Sequence, residues 1–312
     1  MSDPTSITAV EAPGAGVPAP TGPVKTDKPR SLAGDAWNDL RKRPVFWISI
    51  VLVAVILLMA AWPTLFTSID PRACTLANQH KGPSGSAYFG YDFQGCDVYA
   101  KTIYGAQNSI IVGALSTLLS GVIGLVFGLA AGYYGGWLDA VLSRGIDIML
   151  GIPFLLGAIV LSSRLAADPN SDGVLAVTMT LGLLTWTSAA RVMRSAVISS
   201  KNQDYVAAGR MLGATPARLM LRHILPNSIA SFIVILTILL GTNIASEATL
   251  SFLGVGLKGD AISWGISISE ASRYARVAPG PLVYPSLFLA ATVLAFIMLG
   301  DAIRDAFDPK LR

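Results

Sequence analysis

The sequence predicts an all-α integral membrane protein with six transmembrane helices and both termini in the cytoplasm. Three observations carry this prediction: a low share of charged residues, long uncharged stretches, and a one-sided distribution of Lys and Arg. Of the 312 residues, 53% are apolar and 13% are charged, whereas a soluble domain carries about a quarter charged residues. The composition also excludes a disordered chain, a disulfide-dense secreted scaffold and a nucleic-acid-binding protein.

The spans follow from length. A helix needs about 20 apolar residues to cross the roughly 30 Å hydrocarbon core of a bilayer. The stretches that meet or approach this length are residues 45–66, 110–138, 148–163, 173–190, 227–246 and 277–300. They lack strict alternation, which indicates helices rather than the strands of a barrel. The third is short, so we extend it back through Ser143, where Arg144 and Asp147 lie one helical turn apart and can neutralise each other.

The orientation follows from the basic residues. With the N-terminus in the cytoplasm, 16 of the 23 Lys and Arg lie on the cytoplasmic side of the six spans, as the positive-inside rule requires. Residues 1–36 are rich in Pro and poor in bulky apolar side chains, so we predict a disordered cytoplasmic tail; a binding arm that folds on a partner is the alternative. Residues 37–312 form the transmembrane domain.

A polar loop of residues 67–107 lies on the outer side and contains both cysteines, Cys74 and Cys96. Because the outer face is oxidising, we expect these two residues to form a disulfide. Such a bridge stabilises the fold by roughly 3 kcal/mol in the chain-entropy model. Two unpaired thiols, or a metal site that adds His80, are the alternatives.

A second polar segment, residues 199–226, faces the cytoplasm. Residues 204–212 read as one short helix, and Gly213 follows as a turn. Thr215 and Pro216 provide an N-cap and a first-turn proline for a second short helix, which we expect to end near Ile224, before the fifth span. This pattern predicts a rigid protrusion that transmits force to a soluble partner. An amphipathic helix lying in the lipid interface is the alternative.

Inside the membrane, glycines at positions 124, 128, 132 and 136 share one helical face, which predicts close approach of another helix. At the outer end of the fifth span, Asn243, Ser246 and Glu247 are candidates for lining a solute path, because an ionisable group at membrane depth is a functional candidate. A carboxylate at the water boundary is the alternative reading of Glu247. Farther along, Trp264 opens a short stretch that we expect to form a helix in the interface.

Several chemistries have no sequence support. The chain contains no phosphate-binding G-x-x-x-x-G-K-[ST] motif, no H-E-x-x-H motif and no G-x-S-x-G elbow. The two histidines, His80 and His223, fall on opposite sides of the predicted membrane and cannot form one site. We therefore expect neither an enzyme nor a bound metal or cofactor in this chain.

The cytoplasmic run DYVAAGRMLGATPARLMLRHILPN resembles the EAA loop of permease subunits of bacterial ABC importers, in which a short coupling helix docks on an ATPase. Ala207, Ala208 and Gly209 match the EAA triplet, Gly213 matches the following glycine, and the Leu-Pro pair at 225–226 matches the end of the motif. Ala207 stands where the family usually has Glu, and Gly209 where it usually has Ala.

Three further segments resemble the C-type permease subunit of dipeptide and oligopeptide importers. They are FGYDFQGCDVYAKTIYGAQNSIIVG on the outer side, SEATLSFLGVG with the following SWG, and the ending LGDAIRDAFDPKLR. The first is similar to the family pattern LGTD-x-x-GRDV-x-x-x-x-IYGAR, with Cys96 in place of the usual Arg. Together the four motifs, in order, extend the resemblance over residues 41–312.

The resemblance implies the type I ABC importer permease fold and a multi-pass subunit of the bacterial inner membrane that forms half of a pore for di- or oligopeptides. Implied partners are a homologous B-type permease, two ABC ATPase subunits (or one fused) that bind ATP and Mg²⁺, a solute-binding protein outside, and membrane lipid. Candidate contacts to the ATPase are Tyr205, Ala207, Ala208, Gly209, Arg210, Leu212 and Gly213.

For docking of the binding protein, the resemblance points to the outer loop, with Asp92, Gly95 and Asp97 as candidates. Two alternatives stay open at this point. The same architecture can import nickel, glutathione or another small solute, because the binding protein usually selects the substrate. A stand-alone secondary carrier is the alternative from a different class.

Overall fold

The computed structural model describes residues 32–166 and 172–307. Within those residues the chain is helical and forms no β-strand. In chain order the helices are α1 (Leu32–Leu40), α2 (Pro44–Ala61), α3 (Val98–Tyr134), α4 (Gly136–Gly151), α5 (Phe154–Leu165), α6 (Val174–Lys201), α7 (Asp204–Met211), α8 (Pro216–Leu219), α9 (Leu225–Phe252), α10 (Trp264–Ser272) and α11 (Gly280–Phe307). Short 3₁₀ turns occupy Pro63–Leu65 and Leu76–Asn78, and a π-helical turn occupies Met220–Ile224.

The helices confirm the six-span prediction in part. Among the described residues, four helices are long and apolar enough to cross a membrane: α2, α3, the stretch Pro216–Phe252 that contains α9, and α11. The pair α4 and α5 qualifies only when both are taken together, and the two are bent by 90°. Helix α6 has 28 residues but falls outside this count. It ends in Arg191, Arg194 and Lys201 and carries several threonines, which lower its apolar character.

Two predicted span boundaries are corrected. The second span begins twelve residues earlier than expected, at Val98, and ends at Tyr134, because Gly135 and Gly136 have φ angles of +67° and +57° and turn the chain. Gly136 therefore opens α4 and does not extend the glycine face of α3. The third span bends where Ile152 takes an extended conformation, as the residue before a proline prefers.

The predicted neutralisation within the third span is also corrected. Asp147 does not pair with Arg144; its carboxylate accepts a hydrogen bond of 2.6 Å from Arg191 of α6. One turn farther along α6, Arg194 makes a bidentate pair with Asp139 at 2.5 and 2.7 Å. The two aspartates of α4 thus form ion pairs with arginines of a helix that is distant in sequence, and these pairs hold α4 against α6.

Helices α3 and α6 form the closest helix pair. Their contact confirms, for three of the four glycines on one face of α3, the prediction that another helix approaches closely there. A Cβ atom at Gly128 would lie 2.6 Å from the carbonyl oxygen of Ala190, and one at Gly132 would lie 2.8 Å from the side chain of Val197. Gly124 lies against α6 in the same way. Because residue numbers rise together along this contact, α3 and α6 run parallel.

Helix α1 packs against the C-terminal end of α11. It begins inside the predicted tail of residues 1–36, since residues 32–36 are helical, and the rest of that tail lies outside the described residues. Leu40 is buried against Ala302 and Ala306 of α11. We call the end of the bundle that carries the disulfide loop the outer end, and the end that carries α7 the inner end.

Candidate functional site

The inner end carries a protrusion formed by α7, a turn and α8. Val206 of α7 and Leu219 of α8 are buried together with Ile224, in a cluster that extends into α6 and α9. These contacts fix the protrusion to the bundle. By contrast, Met211 and Leu212 are 83% and 88% exposed. Large apolar side chains with this exposure at the tip of a fixed element are typical of an interaction site.

The turn that ends α7 has the geometry of a Schellman motif. Gly213 has φ +79°, a conformation that favours glycine. The N–H of Ala214 donates to the carbonyl of Gly209 at 3.1 Å, and the N–H of Gly213 donates to that of Arg210 at 3.0 Å, which are the two bonds of the motif. Thr215 then caps α8 by accepting from the N–H of Arg218 at 3.4 Å. The predicted helix, turn and cap are all confirmed.

The candidate ATPase contacts lie on the outside of this protrusion. Tyr205, Ala207, Ala208 and Arg210 are exposed, as are the turn residues 212–213. Gly209 is the exception, because it is half-buried and faces α8. A Cβ atom there would lie 3.1 Å from the end of the flexible Leu219 side chain, so the glycine allows α7 and α8 to pack closely.

The second short element ends near Ile224, as expected, and no loop separates it from the fifth span. Helix α8 continues through the π-helical turn Met220–Ile224 directly into α9. Helix α8 is therefore the first part of a helical stretch that runs to Phe252. A force applied to α8 acts on α9 without an intervening loop.

Glu247 lies at the other end of α9 and is fully buried. Its carboxylate accepts hydrogen bonds from the hydroxyls of Ser109 in α3 at 2.9 Å and Ser251 in α9 at 2.8 Å. The Ser109 hydroxyl in turn accepts from the backbone N–H of Trp264 at 3.3 Å. Glu247 thus joins α3, α9 and α10 in one polar cluster, and it has no accessible surface in this conformation.

The other two path candidates differ from each other. Asn243 is also fully buried, and its side-chain nitrogen donates to Thr117 of α3 at 3.0 Å. Ser246 is half-buried and donates to the carbonyl of Thr242 in its own helix at 2.8 Å. The three candidates therefore do not form one shared polar surface. Two of them connect helices, and Ser246 alone keeps accessible surface.

The outer loop is held together by a disulfide between Cys74 and Cys96, which confirms the predicted bridge. Among the described residues, no cluster of His, Cys, Asp or Glu could hold a metal ion. The docking candidates lie inside this loop. Asp92 is buried and accepts from the N–H groups of Gln94 and Cys96 at 2.8 and 2.9 Å. Gly95, with φ +75°, lies against the backbone of Thr75.

Asp97, the third docking candidate, begins α3 as its N-cap. Its carboxylate accepts from the N–H of Ala100 at 2.7 Å, as is typical of a capping aspartate. Burial raises the pKa of the Asp97 carboxyl above its ordinary value, and the backbone hydrogen bonds from Ala100 and Tyr99 oppose this shift. All three docking candidates thus help to set the shape of the loop and of the helix that follows it.

Lys101, which the sequence did not single out, and Trp264 connect α10 to the outer loop and to the start of α3. Lys101 donates to Asp92 at 2.7 Å and to Glu270 of α10 at 3.3 Å. Trp264, expected as an interface anchor, is instead fully buried, and its indole N–H donates to the carbonyl of Thr102 at 2.8 Å. The sequence predicted helix α10 but not these contacts, because the residues that Lys101 and Trp264 contact across this connection lie about 160 positions away in sequence.

Long apolar helices and an exposed apolar tip on a fixed helix–turn protrusion are typical of a membrane protein that binds a partner at one end. Residues 124–312 match the family described as "Binding-protein-dependent transport system inner membrane component". Residues 31–83 match "N-terminal TM domain of oligopeptide transport permease C". The chain belongs to the family of binding-protein-dependent transport system inner membrane components. It is a permease and not an enzyme, and such permeases work with further permease and ATPase subunits.

Several curated relatives are similar over nearly the whole chain. The oligopeptide transport system permease protein OppC of Bacillus subtilis (strain 168) is 34% identical over 285 residues, which are 91% of this chain and 92% of the relative. The dipeptide transport system permease protein DppC of Alkalihalophilus pseudofirmus is 32% identical over 297 residues, or 95% and 96% of the two chains. The resemblance to dipeptide and oligopeptide permeases is confirmed.

A third relative is the glutathione transport system permease protein GsiD of Escherichia coli O6:K15:H31, which is 32% identical over 290 residues, 93% of this chain and 94% of the relative. Among solved structures, the inward-facing MetNI methionine ABC transporter is similar with a TM-score of 0.53 at 20% identity, covering 65% of this chain and 95% of that chain. An amino acid ABC transporter gives a TM-score of 0.51 at 19% identity, covering 64% and 91%. These structures show the ABC transporter permease fold.

Proposed function

We propose that this chain is one of two permease subunits of an ATP-driven importer for di- and oligopeptides in a bacterial inner membrane. A homologous B-type permease forms the other half of the pore, two ATPase subunits bind ATP and Mg²⁺ at the inner end, and a solute-binding protein docks at the outer end. The names of the OppC and DppC relatives support the substrate class. Glutathione is itself a tripeptide, so the GsiD relative points to the same chemistry.

The parallel course of α3 and α6 supports six crossings. Two neighbouring helices that run parallel need a connection that returns to the end where the first one began. The chain between them contains α4 and α5, so this bent pair returns across the bilayer. Together with α2, α3, α6, α9 and α11 it makes six spans, and both termini then lie on the same side. The basic residues support the cytoplasm as that side.

The observation that carries the coupling role is the exposed tip of the protrusion. Met211 and Leu212 present apolar surface on an element fixed by buried contacts and by the Schellman turn. We infer that this tip docks in an apolar groove of an ATPase subunit. Since α8 continues into α9, movement of the ATPase reaches a membrane span as a rigid-body shift.

At the outer end, the disulfide loop is the docking surface for the binding protein in this proposal. Leu76 and Tyr88 are 74% and 69% exposed on a loop shaped by the disulfide and by Asp92, Gly95 and Asp97. The last three residues act by holding that shape. Along the path, Ser246 remains a lining candidate, whereas Asn243 and Glu247 hold α9 against α3. A stand-alone carrier is not favoured, because the relatives are named as parts of transport systems.

The test replaces the exposed Ala208 with Trp in the transporter assembled with its partners in proteoliposomes. The bulky side chain blocks docking of the protrusion, so we expect ATP-driven peptide uptake to fall by at least about tenfold, which corresponds to roughly 1.4 kcal/mol of lost coupling. The matched control is Ala140→Trp on α4, which is also exposed but lies away from the protrusion. Equal uptake by the two variants would contradict the coupling role.

A further inference from the structure

A cavity of about 600 Å³ opens between the inner halves of α6, α9 and α11. It is separate from the protrusion and from the path candidates that the sequence suggested. Its polar lining comes from Ser195, Ser199 and Ser200 of α6, Asn227 and Ser231 of α9, and Arg304 of α11; the hydroxyl of Ser200 already accepts a hydrogen bond from Ser228. This volume lies within the range of sites that bind small molecules.

The register of α9 and α11 brings the polar groups to one level. Gly300 of α11 lies against Val234 and Ile238 of α9, because a Cβ atom there would lie 2.9 Å from the Ile238 side chain. The two helices run in opposite directions. Arg304, one turn after Gly300, therefore lies at the height of Ser231, about one turn before Val234.

Three serine hydroxyls around this cavity are unused. Many Ser and Thr hydroxyls in the spans donate to the carbonyl four residues earlier in their own helix, as Thr237 and Thr249 of α9 do at 2.9 and 2.8 Å. Ser195, Ser199 and Ser231 are exposed, and their side-chain hydroxyls form no hydrogen bond with any residue in the described part of the chain. Because a hydroxyl in a membrane helix normally bonds back to its own helix, these three are available to a ligand.

The charge of the cavity is positive. Arg304 is exposed and forms no ion pair within the described residues; the nearby Asp305 pairs instead with Arg43 at 2.7 Å. Within the described ranges no Asp or Glu lines the cavity. Asn227 adds a side-chain oxygen, since its nitrogen already donates to the carbonyl of His223 at 2.6 Å. The cavity thus offers one cation, three hydroxyls and one amide oxygen.

We propose that this cavity is the chain's share of the inner exit of the transport path, in which Arg304 receives the carboxylate of a short peptide. The serine hydroxyls and Asn227 then pair with peptide N–H and C=O groups, which every peptide has whatever its sequence. The apolar Ile235 and Ile238 in the lining contact peptide side chains without selecting among them. This inference deepens the proposed function and rests on it.

A partner helix is a poorer occupant of this cavity. Helices in a membrane satisfy their backbone groups internally, so a helix from another permease would leave the three hydroxyls and the Arg304 guanidinium without partners. Close helix contacts in membranes favour small residues, as on the glycine face that α3 presents to α6 within this chain. A peptide in transit brings unpaired N–H, C=O and carboxylate groups and therefore fits the lining better.

The experiment measures access and charge preference in the assembled, nucleotide-free transporter in inside-out vesicles. Ser231→Cys supplies one reactive thiol, because both native cysteines are joined in the disulfide. We expect the anionic reagent methanethiosulfonate ethylsulfonate to label it roughly threefold faster than the cationic trimethylammonium reagent, since Arg304 attracts anions. Adding Arg304→Gln removes this preference. Excess trialanine slows labelling, and trialaninamide, which has no carboxylate, slows it less.

The matched control is Asn202→Cys, exposed just beyond the end of α6 and outside the cavity lining, whose labelling should respond neither to Arg304→Gln nor to trialanine. An unreactive Ser231→Cys would mean that a partner chain covers the cavity, and it would overturn the inference. So would a charge preference that survives Arg304→Gln, or equal protection by the two peptides. ATP-driven uptake of labelled trialanine by the unmodified complex tests the proposed function separately. If the transporter takes up trialanine but trialanine does not slow labelling of Ser231→Cys, only the cavity inference is wrong. If trialanine slows labelling but is not taken up, only the proposed import function is wrong.

Discussion

The outer and inner ends of the bundle differ in how far the chain satisfies its own groups. At the outer end, the disulfide, the Lys101 ion pairs and the Glu247 cluster connect the loop, α3, α9 and α10. At the inner end, Met211 and Leu212 are exposed, and the hydroxyls of Ser195, Ser199 and Ser231 have no hydrogen-bond partner among the described residues. Apolar side chains are exposed at the outer end as well, as for Leu76 and Tyr88, so the difference lies in the polar groups. It supports the proposal that a substrate pairs with the inner end, whereas contacts within the chain hold the outer end.

Glu247→Ala gives the largest expected loss of stability. It leaves Ser109 and Ser251 without their acceptor in a buried site, so we expect the protein to lose about 3 kcal/mol of stability. The midpoint of thermal unfolding of the purified protein in detergent measures this loss. Glu247→Gln keeps the shape and one acceptor oxygen and should lose less. An unchanged midpoint for the Ala variant would show that the outer end does not depend on this cluster.

Removal of the disulfide ranks next. The double variant Cys74→Ser, Cys96→Ser opens a link between residues 22 positions apart, which we expect to lower stability by roughly 3 kcal/mol or less. The measurement is the same thermal midpoint, with reductant added to the unmodified protein as the control. Reductant should lower that midpoint to the level of the variant and leave the variant unchanged. If the two proteins respond alike, the disulfide does not brace the outer end.

Gly128→Ala tests the close packing of α3 against α6, two helices that extend between the outer and inner ends of the bundle. The new Cβ atom would lie 2.6 Å from the Ala190 carbonyl oxygen, so the α3–α6 pair must separate, at about 1–3 kcal/mol. Gly145→Ala in α4 is the matched control, because nothing lies within 4 Å of its added Cβ atom and Ala favours a helix by about 1 kcal/mol. The two variants should shift the thermal midpoint in opposite directions. Shifts of the same sign would refute close packing at Gly128.

Gly209→Ala should have the smallest effect. The Cβ atom contacts only the flexible end of Leu219 at 3.1 Å, and the gain in helix propensity of up to about 1 kcal/mol offsets this contact. We expect the thermal midpoint and ATP-driven uptake to stay within error of the unmodified transporter. A clear loss of uptake with an unchanged midpoint would mean that the inner end needs glycine here for docking rather than for packing.

Patterns local in sequence were sufficient for much of the inner end. Gly213 and the Thr215–Pro216 pair placed the turn and the second cap correctly, because turns and caps depend on a few neighbouring residues. The apolar stretches 45–66, 110–138, 227–246 and 277–300 each overlap a described helix that is long and apolar enough to cross a membrane, because length and composition belong to one continuous segment. The 90° bend at Pro153 was missed because apolar length carries no information on direction.

The outer end needed contacts that no local pattern contains. Glu247 was a candidate for the solute path, with a carboxylate at the water boundary as the alternative. Its hydrogen-bond partner Ser109 lies 138 residues away in sequence, and only the packing of α3 against α9 brings the two together. Trp264 was read as an interface anchor, yet Thr102, 162 residues away, accepts its indole N–H. Asp147 paired with Arg191 rather than with its helical neighbour for the same reason. Charge and polarity in the sequence indicated that these residues matter, but they did not indicate that each one connects two helices.

The parallel contact of α3 and α6 cannot form until the ribosome has synthesised α6. Ser120 and Gly182, which meet through a hydrogen bond, are 62 residues apart, so ribosomes making 5–20 residues per second deliver the second roughly 3 to 12 s after the first. During that interval the glycine face of α3 is in the bilayer without its partner. The nascent chain therefore depends on lipid or on the insertion machinery to cover this face until α6 arrives.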